Sequence, residues 1–528
     1  MAPMRRTLCT AWLALMSVAA APGPALTIDA SADRRPIDPA IYGMANVDVA
    51  LAREIRLPMY RWGGDSTSRY NWQLAASNAG DDWFFIGGSA THRPPGGDVD
   101  ELVNRSKTFG GRMLLTVPMM DYVNNSRDWD CSYPVSLFGP QQRVNPYVHP
   151  TVNGVRTDAG NGRSPDGKPL PPLTRDQILR THRPNSPSFQ REWLRHVVGT
   201  FGPADHGGVA AYELDNEPGG WNNTHRDIHP GPTGHDELVG RSLAYAAMVK
   251  GVDPSAMVIG PGDFVMHYQS DGKPGDGKAE HEGLGQGSYY LRSFRRDAEA
   301  HGGRRLLDSF DEHYYPFAQD GSTPDTVIEQ TRSLWDPTYV ERNWYGKYHG
   351  AKAVLTNMHR WVDAEYPGTK VSISEYGWGD PKDPNAALAE ADVLGIFGRE
   401  RVALACLWTS PKAADAMADA FRLYRDYDGH GGTFGDTQVS ATSADQGTVS
   451  VYAAVRSGDG TMTIVAINKT DGPLTSRVGV RGFKSATAFR CVFDGHGLTA
   501  AALPAITAQG FDADLPSKSA LIVVLRSK

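Results

Sequence analysis

The sequence predicts an α/β fold: a (β/α)8 TIM barrel with an additional all-β sandwich domain. Three observations predict it. Eight short apolar runs each end in polar or glycine-rich residues. Segments with helical spacing lie between them, the alternation expected of βαβ units around a parallel sheet. Beyond about Ala418 the pattern changes to strand-length runs divided by Gly, Asp and Asn turns, as in a sandwich. Eight units are the number that closes a barrel, and such barrels carry their chemistry on the face after the strands.

Taken in order, residues 1–25 read as an export signal. Arg5 and Arg6 give a positive start, Thr10–Ala21 is a short apolar run, and cleavage is expected after Ala21 or Ala25. The run is too short to span a bilayer. Leu26–Ala30 reads as a strand that joins the distant sandwich. The expected layout is therefore a catalytic barrel over 36–415 and a discontinuous sandwich of 26–35 with 416–528. Barrel strands are expected at Ile41–Met44, Met59–Trp62, Met113–Val117, Val209–Leu214, Met257–Gly260, Ser309–Tyr315, Val371–Ile373 and Ala403–Leu407. The clearest helices are Phe189–Val198, Glu237–Lys250, Tyr289–His301, Leu355–Glu365 and Ala386–Phe397. Cys131–Pro187 and Tyr268–Ser288 read as long loops, the first as a wall of the cleft. The sandwich strands fall at Val449–Val455, Thr461–Ile467, Ser476–Val480, Ala486–Phe493 and Ala520–Leu525.

At 528 residues the chain is long enough for one large catalytic domain and a smaller partner. A net charge of −7 argues against non-specific nucleic-acid or anionic-membrane binding, which needs a basic surface. Outside the signal, Cys131, Cys406 and Cys491 allow at most one bridge, and their spacing suggests no metal site. A monomer without a required cofactor is expected. Asp81-Asp82 and Asp98 with Asp100 read either as a solvated acidic loop or as ligands of a structural Ca2+.

The stretch most charged with chemistry is AYELDNEPGG, Ala211–Gly220. It reads as a buried strand whose end carries Glu213, Asp215, Asn216 and Glu217 before Pro218 stops it. Burying unpaired carboxylates costs several kcal/mol each, on the order of 3–5 when a partner is missing. A second glutamate, Glu375 in ISEYGWG, ends the seventh expected strand. Cleavage of a glycosidic bond needs two such carboxyls, one to protonate the departing oxygen and one to attack the sugar or activate water.

RWGGDSTSRYNW (61–72), ELDNEP (213–218), HYYP (313–316), ISEYGWG (373–379) and the ADVLGIFGRE…LW run (391–408) resemble glycoside hydrolase family 44. The resemblance covers most of the chain beyond the signal. It implies a secreted endo-β-1,4-glucanase of a retaining clan, acting on soluble cellulose derivatives, mixed-linkage glucan, xyloglucan and sometimes xylan or mannan. Glu217 matches the general acid/base, Glu375 the nucleophile, and Asn216 the amide that bonds the sugar 2-hydroxyl. Two features depart from the family: Asp65 stands where Asn is usual, and the Cys131–Pro187 loop is longer.

Retention requires the two carboxyl groups about 5–5.5 Å apart. Glu375 must stay ionised, with Arg61 and Tyr314 or Tyr315 as the expected partners. Glu217 must start protonated, in a drier site or near the charge of Glu375. Glu213 and Asp215 share its side-chain parity and need partners inside the barrel. Sugar platforms are expected among Trp62, Trp72, Trp221, Trp378 and Trp408, with Trp72 and Trp408 preferred and about half of the five simply structural. His313 is either a core histidine or a subsite residue, and Asp121 and Tyr122 are further sugar-binding candidates. The competing readings are an exo-acting arabinofuranosidase or mannanase of the same clan, and a carbohydrate-binding protein without turnover. An ordinary metabolic barrel enzyme fits poorly, for no phosphate-binding Gly loop follows the late strands.

Overall fold

Eight parallel strands close into a barrel: β1 Gly43–Ala45, β2 Met59–Trp62, β3 Arg112–Val117, β4 Ala211–Leu214, β5 Met257–Phe264, β6 Ser309–Tyr314, β7 Lys370–Tyr376 and β8 Val402–Leu407. The computed structural model describes residues 20–527, apart from 90, 92, 147–157, 265–283, 318–323, 484, 496, 502–505 and 508–509. Most of the expected signal segment and most of Tyr268–Ser288 lie outside the described residues.

Each strand is followed by a helix, from Val49–Glu54 after β1 to Pro384–Arg399 after β7 and Ala416–Arg425 after β8. The apolar faces of these helices and the outward residues of the strands form one continuous core. β5 and β7 run further than the apolar pattern predicts. Their last turns carry Asp263, Ser374 and Glu375, which are buried. Hydropathy falls where the barrel interior becomes polar, although the backbone stays extended. β1 begins later than expected because Pro39 opens a helical turn at Pro39–Tyr42, capped by the Asp38 carboxylate on the Ala40 N–H (3.0 Å).

The second domain stacks two sheets around their own apolar core. One runs Leu498–Ala500, Ser485–Phe493, Ser519–Ser527, Met462–Asn468, Val449–Val455, Thr437–Gln438, Arg35–Pro36. The other holds Leu26–Asp29 between Leu474–Arg481 and Ser440–Ser443. The pairing of Leu26–Asp29 with Leu474–Arg481 is parallel, a departure from the purely antiparallel sandwich expected. Ala21–Pro22 pairs with Leu474–Thr475 at the edge of that sheet.

Residues 416–425 correct the expected boundary. They form a helix whose Tyr424 hydroxyl donates to the Ala391 carbonyl (2.9 Å) and whose Arg422 binds Glu54, so they complete the barrel's outer ring. The alternating pattern of the sandwich begins only at Thr437. The described parts of the long Cys131–Pro187 segment are tied down. Asp130–Cys131 pairs with Ile86–Gly87, His182–Pro184 pairs with Tyr122–Asn124, and a capping box at Thr174 and Gln177 starts a helical turn.

Candidate active site

The ends of β2, β4, β6 and β7 converge on one buried arginine. Arg61 and Trp62 are consecutive on β2, so their side chains point to opposite faces. Arg61 enters the barrel. Its Nε and Nη2 donate to the two oxygens of Glu213 (3.0 Å each), Nη2 also donates to Asn216 Oδ1 (2.8 Å), and Nη1 bonds Glu375. Glu213 is the residue that sequence reasoning left without a role. It also accepts from Thr116 (2.8 Å) and Ser374 (2.7 Å) and lies 3.1 Å from His313 Nε2. Burial would raise its pKa, but Arg61 and His313 outweigh it and hold the carboxyl down to about 2. Its parity with Glu217 placed it inside the barrel, and the structure supplies the partners it needs there.

Glu375 accepts from Arg61 and from the Tyr315 hydroxyl (2.7 Å), and its side chain is only 9 % exposed. Tyr315 rather than Tyr314 makes this contact. Tyr314 points out of the barrel, where its hydroxyl donates to Glu341 (3.0 Å). Glu217 sits just past β4 in a left-handed conformation (φ 43°), its N–H held by the Gly262 carbonyl (2.8 Å). Such a backbone turn is uncommon outside glycine, and Asp215 shares it (φ 67°). The turn carries Glu217 away from Arg61 and toward His313 Nδ1, 2.9 Å off, with 21 % of the side chain open to the cleft. One oxygen of Glu217, one of Glu375 and a ring nitrogen of His313 all lie within 4.8 Å of one another.

The electrostatics act on Glu217. Burial raises the Glu217 pKa, with Glu375 and Asp263 adding to it against the hydrogen bond and charge of His313. Burial would lower the His313 pKa, but Glu375, Glu213 and Glu217 together push it well above the ordinary range. Both ring nitrogens of His313 face carboxylates, Nδ1 toward Glu217 and Nε2 toward Glu213, and the ring lies fully buried in the floor of the site, out of reach of sugar. Asp215, raised to about 6 by burial, accepts from the backbone N–H groups of Met119 and Asn216 and so braces the turn.

Asn216 is fixed at both ends. Its Oδ1 accepts from Arg61 and the Gly64 N–H (3.1 Å), and its Nδ2 donates to Asp65 Oδ1 (2.7 Å). Trp408 lies beside this group: its ring centre is 5.9 Å from the Arg61 guanidinium carbon, and a Cβ at Gly64 (φ +96°) would come 2.7 Å from it. Trp408 is partly exposed, as a platform must be. Trp62 and Trp72 are also partly exposed, each with one face against a neighbouring aromatic, whereas Trp221 and Trp378 are enclosed. Trp62 packs edge-on against Tyr70 and Trp193 (4.8 and 5.9 Å), and Trp72 leans on Phe189 with its N–H on the Phe189 carbonyl (3.1 Å). Trp221 and Trp378 are fully buried, their indoles bonded to the carbonyls of Asn216 (3.3 Å) and Val327 (2.9 Å). Strand alternation sends Trp62 and Tyr314 outward, and position along the chain alone does not reveal that. Asp121 is engaged by Arg241 (2.8 and 2.9 Å), and Tyr122 lies in the strand paired with His182–Pro184.

The acidic residues considered for Ca2+ do not converge. Asp81 pairs with Arg226 (2.8 Å), Asp98 with Thr91 and Arg93, and Asp100 with His196 (2.8 Å). Among the described residues, the clusters with three ligand atoms close enough for a metal are Glu213–Asp311–His313 and Glu217–His313–Glu375, and the Arg61 guanidinium is bonded to a carboxylate of each. No helix of the described residues is long and apolar enough to cross a membrane.

A parallel (β/α)8 barrel with two carboxyls facing each other at the ends of β4 and β7 is the arrangement of a glycoside hydrolase. The comparisons narrow the class. A profile described as glycoside hydrolase family 44 matches residues 76–318. Endoglucanase A of Paenibacillus lautus is 30 % identical over 541 residues, a match spanning 96 % of this chain and 73 % of that protein. The crystal structure of CelM2, a bifunctional glucanase-xylanase from a metagenome library, superposes with a TM-score of 0.88 at 32 % identity, over 96 % of this chain and all of that one (100 %). A Paenibacillus polymyxa xyloglucanase of family 44, solved with xyloglucan, gives 0.79 at 29 % identity over 96 % of this chain and 100 % of its own. This chain belongs to glycoside hydrolase family 44, and it is an enzyme of the endoglucanase type.

Proposed function

We propose that the protein is a secreted, retaining endo-β-1,4-glucanase that cleaves internal bonds of cellulose-type glucans or xyloglucan by double displacement. The observation that carries this is the approach of Glu217 and Glu375 to within 4.8 Å, oxygen to oxygen, with Arg61 and Tyr315 bonded to Glu375 and not to Glu217. Retaining enzymes hold their carboxyls about 5–5.5 Å apart, whereas inverting ones leave about 6.5–9.5 Å for a water.

In the first step Glu375, bonded to Arg61, attacks the anomeric carbon while Glu217 gives its proton to the departing glycosidic oxygen. A glycosyl ester forms on Glu375. In the second step Glu217, now a carboxylate, takes a proton from water, which attacks the same carbon and releases Glu375. The His313 ring nitrogen beside Glu217 stabilises the carboxylate left after the first step and so keeps the proton transferable. The Asn216 amide holds the 2-hydroxyl, and Trp408 offers an apolar face to a pyranose ring. For export, residues 1–25 act as the signal. Cleavage after Ala21 would keep the Gly23 N–H on the Thr475 carbonyl (2.8 Å), whereas cleavage after Ala25 removes it; N-terminal sequencing of the secreted enzyme decides.

The test uses the purified enzyme on xyloglucan, mixed-linkage glucan, carboxymethyl cellulose, xylan and mannan. A fast fall in viscosity with β-configured new ends by early NMR is expected on at least one β-1,4-glucan. Release of α-configured ends, or of monosaccharide from chain ends only, rejects the proposal.

A further inference from the structure

The last residues of β5 reach toward both reacting glutamates. The Gly262 carbonyl holds the Glu217 N–H (2.8 Å), and the Asp263 carboxylate accepts the Gly219 N–H just beyond it (2.7 Å). Phe264 closes the strand, with its own N–H on Asp263 Oδ1 (2.8 Å). Its ring stacks on the Tyr315 ring, the centroids 5.8 Å apart and the planes inclined by 26°. Tyr315 is the residue whose hydroxyl donates to Glu375 (2.7 Å). The register explains the meeting. β5 and β6 pair Pro261 with Asp311, then Asp263 with Glu312 and Phe264 with His313, so Gly262 is an extra residue in the ladder. Such a bulge beside an active site re-aims the side chains that follow it. Regular alternation would turn Phe264 to the face opposite Pro261. The extra residue turns it to the His313 face instead, the side on which Tyr315 follows two residues later. Gly262 makes the bulge possible: its φ is +62°, and a Cβ there would come 2.7 Å from Glu213 Oε1.

We propose that Phe264 is a positioning residue for Glu375 that acts through Tyr315: its ring holds the Tyr315 ring in the plane that aims the hydroxyl at Glu375 Oε1. Tyr315 binds that oxygen while Arg61 binds Oε2. Bonded at both oxygens from fixed directions, the carboxylate meets the anomeric carbon in one orientation.

The position of Tyr315 makes such a support necessary. β6 ends at Tyr314, so the strand ladder no longer fixes the next residue. Two neighbours do so. Phe264 is still paired to β6 and lies flat against the ring, and offset-stacked aromatics attract each other beyond the area they bury. Gly377, just after β7, crowds the same ring: a Cβ there would come 2.8 Å from Tyr315 Cε1 and 3.1 Å from Cδ1. The first glycine of ISEYGWG therefore gives Tyr315 its room, and Phe264 sets its angle. Both aromatic residues are partly exposed, so the stack belongs to the mouth of the barrel and not to its core.

The inference rests on Glu375 being the nucleophile, so the test has one arm that does not use turnover. A crystal structure of Phe264→Leu, which keeps apolar bulk and loses the ring, should show Tyr315 turned and its hydroxyl off Glu375. An unmoved Tyr315 overturns the proposal, whether or not the enzyme hydrolyses glucan. In the kinetic arm, Phe264→Leu should lower kcat about 10-fold with a smaller change in KM, the scale of a slightly misplaced reacting group. Phe264→Tyr, which keeps the ring, should recover most of that loss. Combination with Tyr315→Phe separates this role from packing. Both substitutions act through one hydrogen bond, so in the Tyr315→Phe background Phe264→Leu should cost no more than about twofold further. Full additivity would mean that Phe264 does not act through Tyr315, and would overturn the proposal. A loss carried by KM would make Phe264 a sugar contact, and a loss explained by a lowered Tm alone would make it structural; either overturns it. A wild type inactive on every β-glucan would instead refute the proposed function, and the crystal structure would still decide whether Phe264 holds Tyr315.

Discussion

The mouth of the barrel and its joint with the sandwich both bury carboxylates, and they treat them differently. At the joint, Asp392 on helix Pro384–Arg399 is fully enclosed. Lys469 (2.6 Å), Ser450 (2.5 Å) and Tyr452 (2.7 Å) bond to it across the domain boundary, and Thr331 (2.7 Å) bonds to it from within the barrel. Burial would raise its pKa, but Lys469 and the hydroxyls outweigh that and lower it. Every lone pair has a fixed partner and nothing is left to react. At the mouth, Glu213 is closed off in the same way, but Glu217 has His313 on one side and open cleft on the other. A buried charge that is fully satisfied joins elements; one left partly satisfied at a cleft keeps a proton it can give away.

Substitutions can break or sharpen this contrast, and they are ordered here by expected effect. Glu375→Gln should lower kcat by on the order of 10⁴-fold or more with an unchanged Tm, since it removes the attacking charge and keeps the shape. Near-normal turnover would place the nucleophile elsewhere. Glu217→Gln should slow polysaccharide hydrolysis about 10²–10⁴-fold and activated aryl glycosides far less, because a good leaving group needs no proton. Equal losses on the two substrates would remove the acid role.

At the joint the outcome should reverse. Asp392→Ala leaves the Lys469 ammonium buried without its carboxylate, and should cost about 3–5 kcal/mol of stability, read by calorimetry, with kcat preserved while the protein is folded. A drop in kcat without a drop in Tm would mean that the joint communicates with the mouth.

The smallest effect is a pH-dependent gain. The folded-state pKa of Glu217 is raised above its unfolded value by burial, so its contribution to stability is complete below the ordinary value and is lost as pH rises through the folded one. Glu217→Gln removes that loss. It should therefore have a higher Tm than wild type at alkaline pH and the same Tm in acid. A Tm difference that does not vary with pH would argue against the raised pKa.

Much of this was legible in the sequence, for reasons that are local. The eight barrel strands, five of the sandwich strands and the two glutamates at strand ends follow from hydropathy period and from carboxyls placed where strands stop. Met59–Trp62 and Val449–Val455 coincide with their expected bounds. Where β5 and β7 outran their apolar runs, the residues that broke the pattern were those of the site. The pairing of Leu26–Asp29 with strands more than four hundred residues later was also expected, though its parallel direction was not.

What the sequence by itself determined was the repeating period that makes a barrel, and which strand ends carry the acids. Only the tertiary structure decided which side chains face inward, because a strand turns alternate residues to opposite sides and distant strands must meet before any partner is defined. That is why Arg61 came to bind Glu213 and Glu375 while Trp62 beside it turned to Tyr70 and Trp193. It is also why Tyr315, and not Tyr314, touches the nucleophile candidate, and why Asp65 met Asn216.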